Sequence, residues 1–266
     1  HELDCFTDNP QAKAYKGKII LKGDDITRLK DSQFEGYSFN SIDIPGSVTT
    51  IDHQAFYECA RLTSVTIPSS VTELGGAAFY KCTGLTSVTI IKGVTYISWS
   101  AFQGCSALTS IAIPDSVTFI GEEVFDGCTG LTSVAIPYSV ETIDHKAFYG
   151  CTGLKSVTFG QLSQLETIGD HAFSECILLT SVTIPSLVTY IGENAFKGSG
   201  LTSVIIQEGV ESIGYDAFNG CSKLTYVSIP PSVTYIDMNA FQGCDELASV
   251  TIPDDIEMLH ATAFSE

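Results

Sequence analysis

Residues 62–82 read LTSVTIPSSVTELGGAAFYKC, and the fold follows from this stretch. Leu62, Val65 and Ile67 are apolar, and Ser64 and Thr66 fall between them. Period-two alternation in β-branched residues marks a short, half-buried strand from Ser64 to Ile67. Pro68 ends it by removing a backbone donor and fixing φ, and Ser69 and Ser70 favour a turn. Val71 and Leu74 open a second apolar stretch, which reads as another short extended segment. Gly75 and Gly76 permit a tight bend before Ala78 and Phe79, the small and the large residue that point inward. Cys82 closes the unit three residues before the next leucine, Leu85.

The unit recurs along the chain. Its phenylalanine returns at 34, 56, 79, 102, 125, 148, 173, 196, 218, 241 and 264, at intervals of 22, 23, 23, 23, 23, 25, 23, 22, 23 and 23 residues. One such coil cannot bury its own apolar side, but stacked copies bury it in columns, each copy touching only its neighbours. Phe79, Phe102, Phe125 and Phe148 are therefore expected in the core, with Cys82, Cys105, Cys128 and Cys151. The first strands should align as one parallel sheet, and about eleven coils at roughly 4.8 Å each give a right-handed solenoid on the order of 50 Å long.

Three departures break the pattern. Between Cys151 and Cys176 the unit gains two residues, and Phe159-Gly160 replaces the usual Ile-Pro. A local bulge is expected at 159–165. Between Phe196 and Leu201 one residue is missing, and Ser199 takes the cysteine column. Phe34 to Phe39 is shortened in the same way. Residues 1–18 lack the repeat and read as a leader or irregular cap, which leaves 19–266 as one repeat domain. The chain opens at His1 and stops before its last cysteine position without a polar closing coil. A cut or processed fragment is the expectation, with the native protein continuing past residue 266.

Composition bounds the function. The chain carries 13 Lys plus Arg against 31 Asp plus Glu, a net charge of -18. Residues 1–30 hold six of the bases and five of the acids, so the repeats are the acidic part. This excess of carboxylates disfavours nucleic acid and anionic membrane surfaces as partners and suits a basic protein. No run of about 18 apolar residues is present, so membrane insertion is not expected within this stretch.

The pattern LxxVxIPxSVxxIGxxAFxGCxx, with Ile-Pro, Ala-Phe and Gly-Cys at fixed offsets, resembles the BspA-like, treponemal-type leucine-rich repeats. It fits best at 62–158 and 179–253. The resemblance implies a leucine-rich repeat solenoid of the α/β-type right-handed horseshoe class, mostly short parallel strands and turns with little helix. It also implies a secreted or cell-surface role in adhesion or in binding host extracellular proteins. No binding motif of that family is fixed enough to be carried onto particular residues here.

Cysteine and histidine raise chemical alternatives. Cys59, Cys82, Cys105, Cys128, Cys151, Cys176, Cys221 and Cys244 share one inward column, and Cys5 lies outside it. Buried reduced thiols are the favoured reading, because free cysteine is commonly buried and equivalent parallel positions do not readily meet disulfide geometry. One or more bridges, or a metal ladder, are the alternatives; no CxxC pair supports the latter. His145 and His171 lie in neighbouring coils beside Asp144 and Asp170, an arrangement open to an adventitious metal but better read as solvated turns. No metal or cofactor is expected. GxSxG, HExxH and glycine-rich phosphate loops are absent, and Glu122-Glu123 and Asp254-Asp255 read as turn charges. The chain reads as a binder, not an enzyme.

Partner contacts are sought where the repeat is broken on the outside. The outward strand columns are mostly Ser and Thr, weak hot-spot formers, until Ile205 and Tyr226 enter. A second column places Tyr96 and Phe119 in successive coils, and Trp99, the sole tryptophan, follows Tyr96 closely. Tyr96, Trp99 and Phe119 are read as one exposed aromatic patch, against the alternative that they merely stack coil on coil. Ile205 and Tyr226 are the second choice. A surface module that binds a protein competes with a structural spacer without a ligand, and more remotely with an ice- or glycan-binding array. If the array is modular, deleting residues 105–127 as one 23-residue unit leaves a folded, soluble protein by circular dichroism. Random coil after that deletion would contradict modularity.

Overall fold

The computed structural model describes residues 16–21 and 25–265. Every strand pairing in it is parallel and joins one coil to the next. The first strands, from Lys18–Ile20 through Ser64–Ile67 to Ser156–Phe159, form a seven-stranded sheet in chain order. Ser64 pairs with Ser87 and Ile67 with Ile90, a register offset of one repeat. Because equivalent residues face each other, Val65 and Ile67 are buried while Ser64 and Thr66 are exposed. Eleven two-residue strands, from Arg28–Leu29 to Met258–Leu259, form a second unbroken sheet on another side of each coil. The proposed leader lies mostly outside the described residues. Its last residue, Lys18, already belongs to a strand, paired with Ser41.

The third side of the coil corrects the horseshoe expectation. No helix occurs among the described residues, so the molecule is an all-parallel β-solenoid and not an α/β-type horseshoe. The backbone around each phenylalanine shows why. The N–H groups of Ala77, Phe79 and Lys81 donate forward, to the carbonyls of Trp99, Ala101 and Gln103, at 2.8, 2.8 and 2.7 Å. Those of Ala78, Tyr80 and Cys82 donate three residues back, to Gly75, Ala77 and Phe79. Half of the donors are thus spent on the next coil, and none completes the i to i−4 bond that defines an α-helix. Ala77 and Lys81 also take left-handed φ of 53° and 51°, outside the right-handed helical region. In the slot of Lys81, later coils place Gly104, Gly127 and Gly150, which adopt such φ without strain.

The interior is a set of columns. Phe79, Phe102, Phe125 and Phe148 are fully buried, and neighbouring rings stack at 5.4, 5.7 and 5.1 Å between centroids. The stack runs from Phe34 to Phe264. Offset or stacked aromatic pairs add roughly 0.5–1.5 kcal/mol each beyond their burial. Beside them, the cysteines are free, and each thiol donates to the carbonyl of the previous coil's phenylalanine. Cys82 reaches Phe56 at 3.1 Å, and Cys105 reaches Phe79 at 3.2 Å. That carbonyl already accepts the N–H of its own coil's cysteine, so the thiol fills its second lone pair. Cysteine is small enough for the column and still brings a donor. Ser199 keeps the chain of contacts with an Oγ–Sγ distance of 3.2 Å to Cys221.

The two-residue insertion breaks one sheet only. Ser181–Ile184 does not pair with Ser156–Phe159 and instead begins a three-stranded sheet with Ser203–Ile206 and Tyr226–Ser228. Phe159 is half-buried where other coils bury an isoleucine. Gly160 is needed beside it, because a Cβ there would lie 2.6 Å from the Tyr138 nitrogen. The extra length emerges in the loop at Leu162, which is 89% exposed. The second sheet continues across the same coils, pairing Thr142 with Thr167 and Thr167 with Tyr190.

Two outcomes test this packing. Phe102→Ala opens a cavity within the stack and should cost about 3–5 kcal/mol in denaturant unfolding; a change of a few tenths would contradict the register. Burial pushes the thiols up, Cys105 to about 12 and Cys221 to about 11. A group raised in the folded state stabilises it fully below its unfolded pKa, so stability should fall only above about pH 8.5, as unfolded thiols ionise. At neutral pH the ladder should resist alkylation until unfolding, with half-buried Cys244 the first to react. Rapid native labelling of Cys105 would overturn the account.

Candidate functional site

The outer surface departs most from the repeat on the turn side of the N-terminal coils. Three residues before each core phenylalanine, successive coils place His53, Gly76, Trp99, Glu122 and His145. Gly76 leaves a gap in this column, and Trp99 lies across it. A Cβ on Gly76 would fall 2.4 Å from Trp99 Cε2. The indole thereby reaches His53, with ring centroids 5.0 Å apart. His53 is held in turn by a 2.7 Å contact between its Nδ1 and the Gly76 carbonyl. Trp99 is packed on one face and still 48% exposed.

One residue after the phenylalanines, Tyr57 and Tyr80 stack at 4.7 Å. Burial and the neighbouring Glu58 push the Tyr57 phenol above its ordinary range. Lys81 Nζ sits 5.1 Å from the centre of the Tyr80 ring, and the Tyr80 hydrogen bond raises its pKa. Toward the next coils the same columns turn acidic. Gln103 Nε2 donates to Asp126 Oδ2 at 2.7 Å and to Glu123 Oε2 at 3.3 Å. Ser100 Oγ also donates to Glu123 Oε2, at 3.4 Å. Burial raises the Asp126 pKa, and the Gln103 hydrogen bond opposes that rise. Between the aromatic and the acidic halves lies a cleft of about 350 Å³, lined by Tyr57, Tyr80, Trp99, Gln103, Glu122 and Glu123 among others.

Of the aromatic residues singled out from the sequence, Tyr96 and Phe119 contact each other, and Trp99 contacts His53. Tyr96 and Phe119 pair in register on the outward face of the second sheet and stack at 4.7 Å, 7° from parallel. Each covers one face of the other, and burial pushes the Tyr96 phenol up. Trp99 leans the other way along the axis, over Gly76. Ile205 and Tyr226 stand on adjacent strands of the three-stranded sheet, as diagonal neighbours, 47% and 55% exposed. Glu122 and Glu123, read above as turn charges, line the cleft, and so do Tyr57 and Tyr80, which were not singled out. The signal of the two tyrosines was present in the slot following the core phenylalanine, where two aromatics in successive coils precede Gln103 and Asp126.

Other features offer less. A groove of about 640 Å³ lies beside the sheet break, lined mostly by neutral groups such as Thr158, Gln161, Thr183 and Gln207. His145 and His171 meet edge to face at 5.6 Å, and burial together with His145 lowers the His171 pKa. Among the described residues, no three His, Cys, Asp or Glu side chains gather as metal ligands, and no helix is long and apolar enough to cross a membrane. The threonines after each leucine serve structure: Thr63, Thr86, Thr109 and Thr132 each donate a side-chain hydrogen bond to a carbonyl one coil back.

Comparison with known proteins agrees with the repeat. A family model described as BspA type leucine rich repeat region (6 copies) matches residues 27–155, 120–197 and 142–266. A leucine-rich repeat protein from Bacteroides ovatus is similar in structure, with 28% identity and a TM-score of 0.72, over 91% of this chain and 68% of that one. The leucine-rich repeat protein of T. pallidum shares 30% identity over 69% of this chain and 77% of its own, at a TM-score of 0.50. The pneumococcal vaccine antigen PcpA, at 22% identity and a TM-score of 0.54 over 91% of this chain and 57% of its own, shares the fold. No curated protein matches the chain.

Proposed function

Because the chain belongs to the BspA-type leucine-rich repeat family, we propose that it is a non-catalytic module, secreted or displayed at the cell surface, that binds a protein partner. The observation that carries this reading is Trp99, held half-exposed across Gly76 at the mouth of a cleft. A rigid aromatic anchor gives much contact area at low entropic cost, and such residues dominate binding energy at interfaces. The solenoid supplies the rigidity, since Trp99 is seated by backbone of one coil and a ring of another. An acidic chain of net charge -18 favours a basic partner, with association that weakens as salt rises. Adhesion or recognition of host extracellular proteins is the role this chemistry and the family support. Tyr96, Phe119, Ile205 and Tyr226 are secondary contacts in this reading. The uniform Ser and Thr columns of the first sheet favour a spacer role for that face alone.

Immobilised extracellular proteins offer the test. The native chain should bind at least one of them, and Trp99→Ser should lose about tenfold or more in affinity with circular dichroism unchanged. Tyr96→Ser with Phe119→Ser should lose less, because those rings already satisfy each other. Undiminished binding by folded Trp99→Ser would remove the anchor and move the search to Ile205 and Tyr226.

A further inference from the structure

The cleft beside Trp99 combines two features that point to one ligand chemistry. Its lining brings together aromatic rings, those of Trp99 and of the stacked Tyr57 and Tyr80, and the carboxylates of Glu122 and Glu123. We propose that this cleft receives a guanidinium side chain presented by the partner, an arginine lying against Trp99 with its donors turned to Glu122 and Glu123. The proposal rests on the protein-binding reading above and specifies what the partner brings.

The charges around the cleft support it. Glu122 is exposed, and its carboxylate has no hydrogen-bond or ion-pair partner among the described residues, while its backbone carbonyl accepts the Ser100 N–H at 2.7 Å. Glu123 is oriented by Ser100 and Gln103 on one oxygen, while Lys146 Nζ stands 3.8 Å from the other. Asp126 is occupied by Gln103. The cations that face this region are Lys81, already over Tyr80, and Lys146, beyond Glu123. Lys81 on Tyr80 satisfies internally, at the rim, the contact that the cleft offers an outside cation. A cation over an aromatic face is attracted by the ring quadrupole, most strongly by indole. Guanidinium suits the place better than ammonium. It is planar, stacks on aromatic rings, and presents a fork of donors to carboxylates while stacked.

Gly76 is the positioning residue of this arrangement. Any side chain there displaces the indole, because a Cβ would lie 2.4 Å from Cε2 and 2.6 Å from Nε1 of Trp99. Its φ lies outside the left-handed range, so alanine is compatible with the backbone.

Trp99 is the sole tryptophan, so its fluorescence reports on the cleft directly. The full chain is titrated with N-acetyl-arginine amide and, in parallel, with N-acetyl-citrulline amide, the neutral analogue of the same shape. A saturable change with arginine alone, weakened by salt, is the expected result. Replacing Glu122→Gln and Glu123→Gln together should weaken it about tenfold while leaving the indole in place. Gly76→Ala should shift the Trp99 emission without ligand and weaken the arginine response, with circular dichroism unchanged. Equal responses to citrulline, no saturable response, or unchanged binding by the Glu122→Gln/Glu123→Gln variant would each overturn the proposal. Failure here with Trp99-dependent protein capture intact would remove the cation and leave the protein-binding reading standing. Arginine binding without any captured protein would support the cleft and remove that reading.

Discussion

Each coil hydrogen-bonds to the next through its backbone on three sides, and this places equivalent residues of successive coils directly over one another. Ser64 faces Ser87, Leu74 faces Ile97, and Phe79 donates to the carbonyl before Phe102. Since parallel ladders hold neighbours at about 4.8 Å, any inward residue must fit against a near copy of itself. Flat rings meet this demand by stacking, and the column from Phe34 to Phe264 is the result. Cysteine meets it differently, with a small side chain whose thiol occupies a spare lone pair one coil away. A bulky or charged residue in either column would have to be accommodated by both neighbours at once.

The same constraint explains how irregularity is tolerated. An insertion cannot be absorbed within a column, so it must leave the stack as a loop. The two extra residues near Leu162 do so, interrupting the first sheet while the second continues through the same coils. Splitting the burden in this way keeps the phenylalanine stack intact, with Phe148 and Phe173 still 5.1 Å apart.

Outside the core, the constraint is lifted and the columns become free to vary. A position that need not match its neighbours can hold Gly76 in one coil and Trp99 in the next, and the large residue then lies across the small one. The indole gains a seat of backbone without losing its exposed face. Glu122 and Glu123 in the following coil complete a surface of mixed aromatic and acidic character. The recognition chemistry proposed for this protein therefore comes from breaking the repeat where packing does not enforce it.

The sequence by itself determined the repeat length, the strand at Ser64–Ile67, the second short extended segment, the inward columns and the place of the bulge. These are consequences of side-chain periodicity, turn chemistry and apolar spacing, all of which are local. The third side of the coil was decided by tertiary structure. A short segment around Ala78 and Phe79 suits a helical turn or a β-solenoid corner equally well, and the choice depends on whether its N–H groups find partners within the segment or in the next coil. The outward aromatics were likewise undecided locally. Periodicity shows that Tyr96, Trp99 and Phe119 break the pattern, but stacking direction depends on what stands in the adjoining coil. Phe119 lies beside Tyr96 and accepts its ring, whereas the gap at Gly76 draws Trp99 the opposite way, toward His53.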